Sequence, residues 1–158
     1  MTFGTVAADA LICVFVIARR ADGYEIADDN DRLDLDLVHH WLSTDAFWAL
    51  GRSRETVERS VAGSVNFGVY DESGRQVAFA RVVTDLATFA WLCDVYVDRE
   101  HRGLGIGTWL TATIRDYLAP YRLKRVLLST KDAHEVYARA GFVQFPDPDG
   151  LMYMSFVS

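Results

Sequence analysis

The feature that most constrains the fold is a glycine-rich connection in the second half of the chain. Residues 101–110 read HRGLGIGTWL, with glycine at positions 103, 105 and 107. The run before it, FAWLCDVYV, is rich in β-branched and aromatic residues and predicts a strand. The run after it, TWLTATIRDYL, predicts a helix that Pro120 ends. The chain must therefore turn tightly from a strand into a helix at these glycines.

Such a loop has the chemistry of an anion site. Successive backbone N–H groups in a tight glycine turn converge on one point, and the helix that follows adds the positive end of its dipole. Gly103, Gly105 and Gly107 permit positive φ and leave room for a diphosphate. Arg102 would either add a charge-assisted contact or brace the loop. The loop predicts a phosphate cradle, with a plain strand-to-helix turn as the alternative.

Two other phosphate-binding motifs do not fit this loop. In the dinucleotide fingerprint G-x-G-x-x-G, the third glycine comes one residue later than Gly107 does. That fingerprint also opens a βαβ unit, whereas three antiparallel strands are predicted here before the loop. The chain lacks the GK[ST] ending of a P-loop.

The hydrophobic pattern predicts the order of elements around the loop. We expect a strand, two helices, three strands, a helix, a strand, a helix and two strands, the last two at FVQF and LMYMSF. Ser53 is expected to cap the second helix, and Gly141 to close the last one. The predicted fold is α/β of the α+β type, with a mixed, mainly antiparallel sheet of about seven strands flanked by helices.

Composition narrows the class of partner and compartment. A chain of 158 residues suits one domain, and a net charge of −6 favours neither nucleic acid nor an anionic membrane as partner. Cys13 and Cys93 form no CxxC pair and the four histidines no spaced ligand set, so no metal site is predicted. This cysteine usage predicts a cytoplasmic protein.

The amino-terminal segment, residues 1–20, is predicted as an apolar extension before a single domain over 21–158. Its apolar run, residues 10–18, is too short to span a bilayer. Arg19 and Arg20 follow that run, whereas the basic residues of a signal peptide precede it. The run is either a buried strand or an upstream extension.

At this point the loop resembles the acetyl-CoA loop of the GNAT superfamily of N-acetyltransferases. That loop reads Q/R-x-x-G-x-G/A, and Arg102, Gly105 and Gly107 match its fixed positions. A second family signature, N-x-x-A-x-x-L-Y-x-x-x-G-F, resembles TKDAHEVYARAGF. The matching positions are Ala133, Tyr137, Gly141 and Phe142, with Thr130 for the asparagine and Val136 for the leucine. The resemblance extends from Tyr24 to the end of the chain.

The resemblance implies that acetyl-CoA binds where the sheet splays open between two strands. Pantetheine would bond the backbone of Val95 and Val97 like an added strand, and the diphosphate would rest on the amides of 103–108. The implied acetyl-CoA contacts are Val95, Tyr96, Val97, Arg102, Gly103, Leu104, Gly105, Gly107, Thr108, Thr130 and Ala133.

It also implies how an acetyl group is transferred to an amine. An N–H of Val95 or Tyr96 would polarise the thioester, and Tyr137 would protonate the leaving thiolate, unless it is only a core tyrosine. Asp94 is the candidate base. It alternatively pairs within the sheet or binds a cationic substrate, and it faces the same side as Val95 only if a bulge intervenes.

The implied acceptor pocket comes from the helical pair and contains Phe47, Trp48 and Arg52. The two aromatic residues alternatively wedge the helices onto the sheet. The sequence predicts an N-acetyltransferase in which a primary amine, on a small molecule or a protein, attacks acetyl-CoA directly, with Cys93 a buried thiol. Alternatives are a non-catalytic acyl-CoA sensor or interaction module, an enzyme for longer acyl chains, and another nucleotide-binding fold. A homodimer is a further expectation, because GNAT domains often pair.

Overall fold

A single six-stranded sheet organises the part of the chain that the computed structural model describes, residues 16–156. Its strands lie side by side in sequence order, antiparallel except for the last pair, which is parallel. They are β1 Val16–Arg19, β2 Glu25–Ala27, β3 Val65–Tyr70, β4 Gln76–Thr84, β5 Phe89–Val97 and β6 Arg125–Leu127. The helices are α1 Leu35–Thr44, α2 Arg54–Ala62, α3 Ile106–Leu118 and α4 His134–Arg139. The prediction of a mixed, mainly antiparallel sheet with helices is confirmed.

Local signals set where the helices begin and end. The Asp34 carboxylate accepts a hydrogen bond from the Leu37 amide at 2.9 Å and caps α1. The Ser53 hydroxyl accepts one from the Thr56 amide at 3.2 Å and caps α2, as predicted. Helix α3 ends at Leu118, just before Pro120.

Helices cover both faces of the sheet. On one face, Leu110 and Ile114 of α3 pack with strand residues such as Phe67 into one apolar cluster. On the other face, α1 and α2 pack against Phe79 and Tyr96 in a second cluster. The sheet therefore holds α3 and the α1–α2 pair at fixed positions on opposite sides of β5.

The two C-terminal strands that the sequence predicts are not present. Residues 142–145 and 151–156 lie outside regular structure and are largely exposed, as Val143 and Met152 show at 86% and 99%. Apolar residues favour a strand only where a sheet edge can pair with them. Because β6 is three residues long, it offers almost no ladder for these segments to join. The described sheet thus has six strands rather than about seven.

The amino-terminal prediction falls partly outside the described residues, since residues 1–15 are not among them. Residues 16–19, which the sequence placed in the extension, form β1 and pair with β2. None of the helices between residues 16 and 156 is both long and apolar enough to cross a bilayer.

Strand β5 has a bulge against β4 and pairs with β6 over only part of its length. Phe79 pairs with Tyr96 and Arg81 with Cys93, so that Asp94 and Val95 together oppose the single residue Ala80. On its other side, β5 pairs with β6 only from Phe89 to Trp91. The two strands separate beyond that point, which is the splayed sheet that the sequence predicts.

We expect Leu110→Ala to lower the free energy of unfolding by about 2–5 kcal/mol, because Leu110 is fully buried between α3 and the sheet and its loss leaves a cavity. Urea denaturation measures this value. Val143→Ala, at a largely exposed position, is the control and should change stability by less than about 0.5 kcal/mol. A loss below 1 kcal/mol for Leu110→Ala would contradict the packing of α3 described here.

Candidate active site

A cavity of about 850 Å³ lies where β5 and β6 separate. Its walls are the second half of β5, the segment 129–137 that leads into α4, and the residues that follow α1. Among the residues predicted for catalysis and acceptor binding, it brings together Asp94, Tyr137, Phe47, Trp48 and Arg52. Several of the predicted acetyl-CoA contacts also line this cavity, namely Val95, Tyr96, Val97, Arg102, Gly107, Thr130 and Ala133.

The glycine loop leads from β5 into α3 beside this cavity. Gly103 and Gly105 have φ of 79° and 74°, a left-handed conformation that residues with a Cβ rarely adopt. Gly105 is the N-cap of α3 and has no side chain to bond the first amides of the helix. Within residues 16–156, no amide from 103 to 108 donates a hydrogen bond. The loop therefore presents a run of free N–H donors, which includes the amides of the predicted acetyl-CoA contacts Gly103, Leu104, Gly105 and Thr108.

The prediction of positive φ is wrong for Gly107. This residue lies in the first turn of α3, and its φ is not positive. A Cβ at this position would lie 3.7 Å from Val97 and 3.8 Å from Val136. Gly107 therefore permits α3 to approach β5 and α4 closely, rather than shaping the turn.

Arg102 braces the loop. Its Nε donates to the Val97 carbonyl at 2.9 Å, and its Nη2 donates to Asp45 at 3.1 Å. The same carboxylate accepts from the Tyr96 hydroxyl at 2.7 Å and pairs with Arg99. Asp45, at the end of α1, thus ties that helix to the loop, and sequence reasoning missed it because nothing local marks this distant pairing.

A second brace comes from the turn after β1. Arg20 Nη1 donates to the Leu104 carbonyl at 3.0 Å, and its guanidinium lies over the Trp109 ring at 5.3 Å. Sequence reasoning missed Arg20 as well, since 84 residues separate it from Leu104.

Asp94 is buried at the bulge and held by three donors. Arg52 Nη1 and Arg81 Nε donate to its Oδ2 at 2.6 and 2.7 Å, and Trp48 Nε1 donates to its Oδ1 at 3.1 Å. Asp94 has φ of 51°, which costs free energy in a residue with a Cβ. The condition that a bulge must intervene for Asp94 to share the side of Val95 is met.

These contacts set the charge state of Asp94. Burial by itself would raise the pKa of this carboxyl, but the hydrogen bonds and charges of Arg81 and Arg52 outweigh burial and hold the pKa below its ordinary value. Asp94 is therefore an anion at neutral pH that binds protons weakly.

Tyr137 lies on α4 and projects toward the cavity. Burial, and to a lesser extent the charge of Asp132, raise the pKa of the Tyr137 phenol above its ordinary value. Its ring packs edge-to-face on Phe142 at 6.1 Å. Its hydroxyl has no hydrogen-bond partner among the described residues, so a protonated phenol is available to a bound molecule.

Thr130, in place of the family's asparagine, acts within the chain. Its hydroxyl accepts a hydrogen bond from the Ala133 amide at 3.0 Å, one residue before α4 begins. This contact stabilises the turn that positions Tyr137. Thr130 and Ala133, both predicted acetyl-CoA contacts, nevertheless line the cavity.

The residues predicted to bind the acceptor lie on one side of the cavity. Phe47 and Trp48 pack edge-to-face at 5.0 Å and are 47% and 44% exposed, so they form part of a wall rather than a wedge in the core. The Lys131 ammonium lies 5.5 Å from the centroid of the Phe47 ring, across the cavity from α1. Cys93 also lines the cavity, and burial raises the pKa of its thiol.

A larger cavity, about 1400 Å³, lies between β6, α4 and residues 142–151. It contains no residue of the glycine loop and borders the exposed C-terminal segment. It shares Thr130 and Tyr137 with the smaller cavity, but of these two cavities only the smaller one contains Asp94, Arg52 and Gly107.

We expect Asp94→Asn to lower the free energy of unfolding at pH 7 by about 3–5 kcal/mol, because asparagine tolerates the positive φ but leaves Arg52 and Arg81 without an anion. The native pKa lies below the unfolded value, so this stabilisation is complete above about pH 4 and is lost as pH falls through the native pKa. Urea unfolding at pH 7 and pH 3 should show the difference shrinking at the lower pH.

The control for this experiment is Asp116→Asn, which removes the exposed ion pair with Arg115. It should change stability by less than about 1 kcal/mol. An Asp94→Asn protein as stable as the parent at pH 7 would contradict the charge pairing described at the bulge.

The chain resembles known proteins over most of its length. The sequence profile of the Acetyltransferase (GNAT) family matches residues 35–142. A Gibberella zeae protein, provisionally named an acetyltransferase, is 28% identical over 152 aligned positions and covers 84% of this chain and 86% of its own.

Solved structures agree with this assignment. A GNAT-family protein of Xanthomonas campestris pv. campestris, also provisionally named an acetyltransferase, is 42% identical with a TM-score of 0.79, over 84% of this chain and 92% of that one. A Staphylococcus aureus protein of 22% identity has the same fold, with a TM-score of 0.68 over 84% of this chain and 99% of its own. The profile match spans more than half of the sequence, and the chain therefore belongs to the Acetyltransferase (GNAT) family.

Proposed function

We propose that this protein transfers an acetyl group from acetyl-CoA to a primary amine, by direct attack of the amine. The observation that carries the proposal is the run of free amides at 103–108 beside an unpaired edge of β5. A diphosphate and an amide-bearing chain are the two ligand parts that such a surface fits. Membership of an acetyltransferase family supports the same chemistry.

The residues present fit acetyl-CoA. The amides of 103–108 would hold the diphosphate, with Gly105 leaving open space where a Cβ would stand. The edge of β5 from Val95 to Val97 would bond pantetheine, since β6 no longer pairs there. When bound, acetyl-CoA supplies the thioester whose carbonyl carbon the amine attacks.

An amide of the bulged strand is our candidate for polarising the thioester. At a bulge, backbone N–H groups leave the regular ladder, so the amide of Val95 or Tyr96 is able to donate into the cavity. Hydrogen bonding to the thioester oxygen would favour attack at the carbonyl carbon, because negative charge develops on that oxygen.

Tyr137 is our candidate acid. As the new C–N bond forms and the C–S bond breaks, the sulfur gains an electron pair and needs a proton. The Tyr137 hydroxyl would donate this proton to the sulfur and become a phenolate. The amine nitrogen would lose one proton to water, and water would return a proton to the phenolate. The raised pKa of Tyr137 supports this role, because the phenol stays protonated at neutral pH.

Asp94 suits a positioning role better than the base role that the sequence suggested. A carboxylate whose pKa is held below its ordinary value takes a proton from an ammonium ion poorly. Its contacts with Arg52, Arg81 and Trp48 instead fix the acceptor wall and the bulge. We propose that the amine reaches the thioester deprotonated and releases its second proton to water.

Cys93 supports direct transfer rather than an acetylated enzyme. Burial raises the pKa of its thiol, so little thiolate is present at neutral pH. No histidine lies among the residues that line the cavity, so no neighbouring base is available to activate the thiol.

We expect Gly105→Glu to abolish acetyl-CoA binding, because the new carboxylate occupies the proposed diphosphate cradle. Gly74→Glu is the matched control, since Gly74 also has positive φ, at 83°, and open space around its Cβ. Both variants carry the same backbone strain and the same added charge. Calorimetric titration should show binding for the parent and for Gly74→Glu only. A folded parent that fails to bind acetyl-CoA would refute the proposed function.

We expect Tyr137→Phe to lower kcat by about 10²-fold or more while leaving the Kd of acetyl-CoA within about twofold, because only the proton donor is removed. Tyr121→Phe, at a partly exposed position outside the cavity, is the control and should keep the parent's kcat. Steady-state kinetics and calorimetry on the same samples separate the two effects. Binding with no turnover in the parent protein would instead indicate a non-catalytic acyl-CoA module.

A further inference from the structure

The charge of the cavity is opposite to that of the protein. The whole chain carries a net charge of −6, yet five cationic side chains and three carboxylates line the cavity. Near the glycine loop, Arg99 and Arg102 share Asp45 and lie where the diphosphate would bind. The other cations, Arg52, Arg81 and Lys131, lie away from the loop.

At the acceptor end three cations, Arg52, Arg81 and Lys131, exceed the two carboxylates, Asp94 and Asp132, by one charge. Arg52 and Arg81 both bond the same oxygen of Asp94, so two guanidinium groups share one carboxylate. Successive strand residues rise about 3.3 Å, so Asp94 lies roughly 10 Å along β5 from Val97, where the loop begins. The surplus positive charge is therefore separate from the diphosphate site.

Arg52 in particular has unused donors. Among the described residues its guanidinium makes one hydrogen bond, from Nη1 to Asp94, although the group has five N–H donors. Its side chain is 21% exposed and lines the cavity. A guanidinium with free donors in a partly desolvated wall binds a carboxylate or another oxyanion, often with two parallel bonds.

We infer that the acceptor is an amine that carries a carboxylate. In this inference Arg52 and Arg81 bind the carboxylate, and Phe47 and Trp48 pack on the apolar part of the molecule. This inference rests on the proposed acetyl transfer. Diamines and polyamines are disfavoured, because their second ammonium group would meet Arg52, Arg81 and Lys131 at close range. Phe47 and Trp48 lie half-exposed beside Arg52, as an apolar wall requires.

The test compares amines that differ only in the carboxylate. Each of the α-amino acids is assayed beside its α-amide and its decarboxylated amine, together with putrescine and spermidine. We expect kcat/KM for the best amino acid to exceed that for its amide by about 10- to 100-fold, the range of a charge-assisted hydrogen bond. The expected difference lies mainly in KM.

The variant Arg52→Gln should remove that preference. We expect it to lower the ratio of kcat/KM between the amino acid and its amide about tenfold, whereas the loss of the Arg52 contact with Asp94 affects both substrates alike. Arg54→Gln is the matched control, since Arg54 is two residues away, pairs with Asp36 and Glu58, and does not line the cavity. Calorimetry with the N-acetylated amino acid and its amide gives the same comparison without turnover.

The outcomes separate the two proposals. A protein that binds acetyl-CoA but acetylates the amides or the polyamines as well as the amino acids overturns this inference and leaves the acetyltransferase proposal standing. Acetyl-CoA binding with no amino acid accepted overturns it equally. A parent protein that does not bind acetyl-CoA refutes the acetyltransferase proposal itself.

Discussion

The architecture around the cavity depends on the ion cluster at Asp94. Two arginines and a tryptophan hold this residue in a left-handed conformation in the middle of a strand, where it inserts one extra residue opposite Ala80. A bulge bends and twists its strand, and here β5 parts from β6 just before this point. The same carboxylate that shapes the backbone also fixes Arg52, so the bulge in β5 and the position of a cation in the cavity wall depend on one side chain.

Asp45 performs a comparable task on the other half of the cavity. It joins the end of α1 to Tyr96 of β5 and to Arg99 and Arg102 of the loop. Because α1 also leads into the Phe47–Trp48 wall, this side of the cavity and the glycine loop are attached to the same helix end. The glycine loop is therefore held by charges from outside, while its own amides stay free for a ligand.

The sequence predicts well what depends on local chemistry. The strand β5, the glycine loop, the Ser53 cap and the end of α3 before Pro120 all follow from neighbouring residues, and the structure has each of them. Long-range pairing could not be predicted from the sequence, because nothing near Asp45, Arg20 or Arg81 indicates their distant partners. The prediction of two C-terminal strands was wrong for a related reason, because apolar composition does not reveal whether a sheet edge is free to pair with a further strand.

The three glycines of the loop differ in what confines them, and this affects how the sequence can diverge. Gly103 and Gly105 are limited by backbone angle, with open space around them, so side-chain size is irrelevant there and any L-residue is strained. Gly107 is limited by volume alone. A methyl group would meet Val97 and Val136 at ordinary contact distance, and a longer side chain must be accommodated by these two residues or by the cavity that Gly107 lines. Divergence at this third position is therefore limited by space rather than by backbone angle, and it is coupled to the size of the residues at 97 and 136.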